Sequence, residues 1–187
     1  ALGEQARLSQ INEIRAGLGD DIIDMTSQKF EYNGSEMTIY GGLGDDVIWA
    51  AGEDNDLFGD AGDDRIVGGS GDDVIVGGIG NDSLHGGGGN DIFAFGENWG
   101  VDTVQLTGED EYIALWFADG NIDNWDAENR IYRDGNNSVA ISGGENCTID
   151  LKFGNEGDQY EDMLAIGAFD SAASAKIFED KNSGMLA

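Results

Sequence analysis

Residues 41–94 read GGLGDDVIW, AAGEDNDLF, GDAGDDRIV, GGSGDDVIV, GGIGNDSLH and GGGGNDIFA, six blocks of nine with no insertion. A further copy, AGLGDDIID, occupies Ala16–Asp24. The common pattern is Gly-Gly-x-Gly-x-Asp-x-apolar-x. Six copies in one frame are an internal repeat, and a period this short implies a stacked, solenoid-like chain. The glycines of each block allow tight turning and close approach of neighbouring backbones. The last three residues suit a short strand whose side chains alternate outward, inward, outward. The inward, eighth position is Ile48, Leu57, Ile66, Ile75, Leu84 and Phe93, with Ile23 in the early copy. A three-residue strand cannot bury such a residue alone, so successive blocks must stack to cover the row. The positions on either side of it are expected to vary freely.

This nonapeptide resembles the repeat of the RTX family of calcium-binding β-roll proteins. The resemblance implies an all-β fold, a right-handed parallel β-roll in which two blocks make one coil between two sheets. Turns on the same edge then lie 18 residues apart. Asp46, Asp64 and Asp82 fall on one edge and Asn55, Asp73 and Asp91 on the other. Carboxylates stacked at a strand spacing of roughly 5 Å repel one another unless a cation lies between them. The turns contain no Cys or His, which argues against zinc or copper. Calcium, which accepts six to eight oxygens and tolerates irregular cages, suits Asp and turn carbonyls better than magnesium does.

In the RTX pattern, an ion takes the second and fourth carbonyls and the Asp of one turn. It also takes the first and third carbonyls and the Asp of the turn one coil later. Carried onto this chain, that implies a site of Gly42, Gly44 and Asp46 with Gly59, Ala61 and Asp64. The next on that edge joins Asp60, Gly62 and Asp64 to Gly77, Ile79 and Asp82. Across the roll, Gly69, Gly71 and Asp73 meet Gly86, Gly88 and Asp91. A weaker or empty site is expected where Ala51, Glu53 and Asn55 face Gly68, Ser70 and Asp73, because Glu53 replaces a Gly and Asn55 the Asp. In the early copy, Gly17, Gly19 and Asp21 would share an ion with Gly41, Leu43 and Asp46. Asp102 would close the last site opposite Asp82, in a late half-repeat of Gly100, Asp102 and Val104. The implied load is roughly four to six calcium ions, by ligand counting.

The chain has 187 residues, 38 acidic against 9 basic, and a formal net charge of −29. Self-repulsion of that size opposes compaction and excludes a general role in binding nucleic acid or anionic membrane. Bound calcium would offset part of it and so tie folding to the metal. There are 31 glycines and no proline, and the single Cys147 has no partner for an internal disulfide. No stretch reads as a signal peptide or as an apolar run long enough to span a membrane. RTX proteins characteristically leave Gram-negative cells by type I secretion, guided by a C-terminal signal. The resemblance therefore implies a secreted or cell-surface location, a larger parent chain and the type I machinery as partner. The repeats would stay unfolded in calcium-poor cytosol and fold outside.

Three regions are expected. Residues 1–15 form an N-terminal helix or cap, ending in a strand over 12–15 with Ile14 inward. Residues 16–104 form the roll. Within it, residues 25–40 hold one enlarged repeat with a loop, around the turn signal Asn33-Gly34. Residues 105–187 form a β-rich cap with short helices. Strands are expected at Tyr112–Phe117, Arg130–Arg133, Ser138–Ser142 and Thr148–Phe153, gathered into a small antiparallel sheet on the end of the roll. Trp99 is expected to cap that end. Helices are expected at Gln159–Ile166 and Ser171–Phe178, and Glu179–Ala187 as part of a secretion signal.

Catalysis has little to stand on. His85 is the only histidine, and no nucleophile elbow or zinc-protease motif occurs. An ice-binding face would need a threonine ladder, which the turns lack. The main reading is a non-enzymatic module that folds on calcium and supports export of a larger protein. The alternative is a calcium-rigidified adhesin module that binds glycan or protein through Trp116, Trp125 or the Met25–Tyr40 loop, with Tyr132 and Tyr160 as further aromatics.

Overall fold

A computed structural model of the chain describes residues 11–26, 36–107, 110–118, 121–144 and 147–154. The expected helices, the 33–34 turn, Tyr160 and the C-terminal tail lie outside the described residues. The strands are β1 (Glu13–Leu18), β2 (Ile22–Asp24), β3 (Met37–Leu43), β4 (Val47–Trp49), β5 (Asn55–Ala61), β6 (Arg65–Gly69), β7 (Val74–Ile79) and β8 (Ser83–Gly87). They continue as β9 (Gly89–Phe95), β10 (Val101–Leu106), β11 (Asp110–Phe117), β12 (Trp125–Asp126), β13 (Ile131–Asp134), β14 (Asn137–Gly143) and β15 (Thr148–Phe153). A single 3-10 turn at Ile122–Asn124 is the helical content among the described residues.

Through β11, odd and even strands separate into two sheets, as a two-strand coil requires. One runs β1-β3-β5-β7-β9-β11-β15, the other β12-β13-β14-β10-β8-β6-β4-β2. Every pairing is parallel except the meander of β12, β13 and β14. The eighth-position residues stack directly. On one sheet the ladder is Ile14, Ile39, Leu57, Ile75, Phe93, Leu115 and Leu151. On the other it is Ile23, Ile48, Ile66, Leu84, Val104 and Ile141. All six block residues from Ile48 to Phe93 are wholly buried. Each such side chain contributes about 1.5–3 kcal/mol.

Register survives the irregular stretches. Strand partners are 18 residues apart through the repeats, but Ile14 pairs with Ile39 and Ile23 with Ile48, 25 apart. The seven extra residues are absorbed between β2 and β3 without moving either strand to the other sheet.

Two expectations change. The C-terminal strands do not form a separate antiparallel sheet. Strands β11, β14 and β15 continue the parallel stack, and only the β12–β14 meander turns back. Trp99 does not cap the end. It is buried inside the roll beside Phe95 and Phe117, at centroid distances of 5.8 Å from each. The aromatic column extends past it, with Phe117 stacked on Tyr132 at 3.9 Å and on Phe153 at 5.6 Å.

The outward face of the odd-strand sheet is also apolar. Tyr40, Phe58, Val76, Ala94 and Trp116 lie in one register row. Phe58, Val76, Ala94 and Trp116 are buried there, with Tyr40 stacked on Phe58 at 4.9 Å. Position nine of alternate blocks is therefore not free to vary.

Candidate metal centre

The sixth residue of a block lies two positions before the eighth, so both point inward. On the first edge, pairing stacks Asp21, Asp46, Asp64, Asp82 and Asp102 into one column. Each inner Asp accepts a backbone N–H from its counterpart one coil earlier. Asp21 N donates to Asp46 Oδ1 at 2.8 Å, Asp46 N to Asp64 at 2.7 Å, Asp64 N to Asp82 at 2.8 Å and Asp82 N to Asp102 at 2.9 Å. On the second edge, Asn55 N donates to Asp73 Oδ1 at 2.9 Å and Asp73 N to Asp91 Oδ1 at 3.0 Å.

The second carboxylate oxygen decides the chemistry. Oδ2 of Asp46, Asp64, Asp73, Asp82 and Asp102 is buried and has no hydrogen-bond partner. The described ion pairs are Arg15–Glu13, Arg133–Asp126 and Lys152–Asp150, none of them on these columns. A buried, half-satisfied carboxylate must either take up a proton or meet a cation. Burial pushes Asp64, Asp73 and Asp102 up to about 8 and Asp82 up to about 7, with neighbouring carboxylates adding to the rise in all four. Asp46 is raised for the same main reason, and buried Asp60 reaches about 6.

The space beside each Oδ2 is shaped by backbone. A Cβ on Gly41 would lie 2.5 Å from Asp46 Oδ2 and 2.8 Å from the Gly59 carbonyl. Gly59 stands in the same relation to Asp64 Oδ2 and the Gly77 carbonyl, and Gly68 to Asp73 Oδ2 and the Gly86 carbonyl. Any side chain at these first positions would fill a small oxygen-lined cradle. Among the described residues no three His, Cys, Asp or Glu groups converge on a point. A cation here must therefore draw largely on carbonyls, which suits calcium and not a thiolate or imidazole metal.

A sequence model of the RTX calcium-binding nonapeptide repeat (4 copies) matches residues 38–66 and 58–93. The roll is an RTX β-roll. The family is a structural calcium-binding one, so the module is a calcium-binding β-roll and carries the hemolysin-type repeat. Comparison with curated proteins and with solved structures gave no match.

The RTX roll places the sequence-derived groups as follows. Gly17 and Leu18 pair with Gly42 and Leu43, and Gly19 N donates to the Leu43 carbonyl at 2.5 Å. Gly42 pairs with Asp60 and Leu43 with Ala61, while Gly44 N donates to the Ala61 carbonyl at 2.9 Å. One coil on, Asp60 pairs with Gly78, Ala61 with Ile79, and Gly62 N donates to the Ile79 carbonyl at 3.0 Å. Gly69 pairs with Gly87, and its carbonyl accepts from Gly88 N at 3.0 Å. Each of these carbonyls keeps a second lone pair. Asp102 joins the column although it follows Asp82 by 20 residues instead of 18. Asp60 holds its turn at φ 73°, a left-handed conformation uncommon outside glycine.

Asn55 departs from the Asp arrangement. Its Nδ2 lies 3.1 Å from the Ala51 carbonyl and 3.0 Å from Asp73 Oδ1, and it also donates to the Glu53 carbonyl. Ser70 Oγ reaches the Gly52 carbonyl at 3.5 Å across the same pair of turns.

Two outer columns, one on each edge, escaped the sequence reading. The fifth residues link coils in the opposite axial sense. Asp63 N donates to Asp45 Oδ1 at 2.9 Å, Asn81 N to Asp63 at 2.9 Å, Asp72 N to Asp54 at 2.9 Å and Asn90 N to Asp72 at 2.8 Å. The signal was present, since all six fifth positions are Asp or Asn, side chains sharing one acceptor oxygen.

The aromatic binding residues fare worse. Trp116 and Tyr132 are closed to solvent, which removes both as a glycan platform. Trp125 is half-buried against the core. His85 Nδ1 donates to the Gln105 carbonyl at 2.7 Å on the outer face of the even-strand sheet.

Proposed function

We propose that calcium bound along the two turn edges folds this module, and that it serves export and stability of a larger secreted protein. The observation that carries the reading is the set of buried carboxylates at Asp46, Asp64, Asp73, Asp82 and Asp102, each with one unsatisfied oxygen. At neutral pH that column favours a protonated or a metal-bound state, and a chain of net charge −29 has every reason to take the metal. The groups that would hold calcium are the inner Asp carboxylates with the first- to fourth-position carbonyls named above. Calcium supplies positive charge between stacked coils and chemistry no further than that. Family resemblance supports the remainder of the reading. RTX repeat proteins are typically secreted, and no helix among the described residues is long and apolar enough to cross a membrane.

The test is far-UV circular dichroism during a calcium titration in chelator-treated protein, with magnesium as control. A cooperative coil-to-β transition near millimolar calcium, absent in magnesium, is expected. Full β-structure in excess chelator at pH 7.5 would overturn the folding role.

A further inference from the structure

The second edge contains a turn pair that differs from the others in kind. Between Asn55 and Asp73, the second- and fourth-position carbonyls of one turn and the carboxylate of the next converge on a nitrogen. That nitrogen is Asn55 Nδ2, in contact with the Ala51 and Glu53 carbonyls and with Asp73 Oδ1. These acceptors are members of the set that an RTX ion would draw on at this position. We propose that the Asn55 side-chain amide takes the place of a calcium ion there, so that this pair of coils closes without metal. The inference rests on the calcium reading of the other turns.

The chemistry is direct. An amide NH2 presents two hydrogens on a nitrogen carrying partial positive charge, and it satisfies oxygen acceptors that otherwise need a cation. Three acceptors around two hydrogens means that one bond is shared, which keeps the nitrogen central. Elsewhere the sixth residue is an Asp, whose Oδ2 is left without a hydrogen-bond partner at Asp46, Asp64, Asp73, Asp82 and Asp102.

Two neighbours fit the same account. The first residue of the block is Ala50, not the Gly found in the other five blocks. Its methyl lies in a buried position equivalent to the Gly41 and Gly59 cradles, where a Cβ meets the Asp Oδ2. A methyl is tolerated where no carboxylate oxygen and no ion occupy that space. One coil earlier, Asn55 pairs with Met37, so its partner in the column is not a carboxylate. The second edge is thereby left with one ion position, between Asp73 and Asp91.

The experiment is calcium stoichiometry by equilibrium dialysis on the full chain, with folding followed by circular dichroism. The wild type is compared with Asn55→Ala and with Ala50→Gly/Asn55→Asp, which restores the RTX residues at both positions. The proposal expects one additional ion bound by the double variant and an unchanged count in Asn55→Ala, which folds but melts at a lower temperature. Loss of one ion in Asn55→Ala would mean that Asn55 ligates calcium, and would overturn the proposal. No gain in a folded double variant would also overturn it. Should the double variant fail to fold, the count in Asn55→Ala decides alone. A wild type that binds no calcium would overturn the calcium reading itself, and this inference with it.

Discussion

The two turn edges are made of the same nonapeptide, share the 18-residue spacing from Asp46 to Asp82 and from Asn55 to Asp91, and differ in what fills the sixth position. The first edge stacks Asp21, Asp46, Asp64, Asp82 and Asp102 without a break, then ends on Val139. The second runs Met37, Asn55, Asp73, Asp91 and Ile113, with carboxylates only in its middle. Strand pairing is parallel and in register behind both through the six blocks, with a register shift only later, between Asp110 and Tyr112. Winding and metal demand are therefore separable. The apolar eighth position sets the coil, and the sixth position sets whether a coil boundary needs an ion, an amide or a hydrophobic contact.

Asp64→Ala should break the comparison most severely. Asp64 faces both Asp46 and Asp82, so its loss should remove two ions and raise the calcium midpoint of folding at least about tenfold. Stripping one partner from a buried charge pair costs about 3–5 kcal/mol. Titration followed by circular dichroism, with stoichiometry by dialysis, checks both numbers. Asp73→Ala should remove one ion only, because its other neighbour is Asn55, and its midpoint should lie between those of wild type and Asp64→Ala. Equal losses of two ions would erase the difference between the edges.

Protonation offers a softer version of the same test. The carboxyls of Asp64, Asp73, Asp82 and Asp102 sit at about 7–8 in the metal-free roll, against 3.8 in an unfolded chain. A raised carboxyl favours folding when protonated. Metal-free stability should thus be fully present below about pH 4 and be lost as pH rises through about 8. Calcium displaces those protons, so its apparent affinity should climb over the same range. Circular dichroism in chelator from pH 4 to pH 9 should show β-signal falling with pH. A rising signal would contradict the assignment. At the small end, Asp54→Ala removes an exposed acceptor for Asp72 N from the outer column. It should leave stoichiometry unchanged and move the midpoint by about twofold or less.

Much of this architecture was legible in the chain. The eighth-position row and the 18-residue edge spacing are properties of the repeat itself, and both sheets follow from them. The common edge of Asp21 and Asp46 was readable because they sit in equivalent places of complete blocks. Beyond Phe93 the glycines stop, and the signal with them. A hairpin signature at Asp134–Asn137 then suggested an antiparallel cap, whereas Leu115, Ile141 and Leu151 extend the inner ladders. That continuation has no turn motif to announce it, only apolar residues that any β-structure would use. Trp99 was misplaced for the same reason, since nothing local says that two more coils follow. The buried outer row of Phe58, Val76 and Ala94 left no clear trace, because position nine is just as apolar at Trp49 and Val67 of the intervening blocks. The identity of Asn55 was plain from the outset, but the direction of its amide depends on three acceptors brought together by folding.

The most direct test of the account is a long-wavelength anomalous difference map from crystals grown in calcium. It should show a file of peaks between successive Asp residues from Asp21 to Asp102, one peak between Asp73 and Asp91, and none between Asn55 and Asp73. A folded roll with no anomalous density at either edge would contradict it.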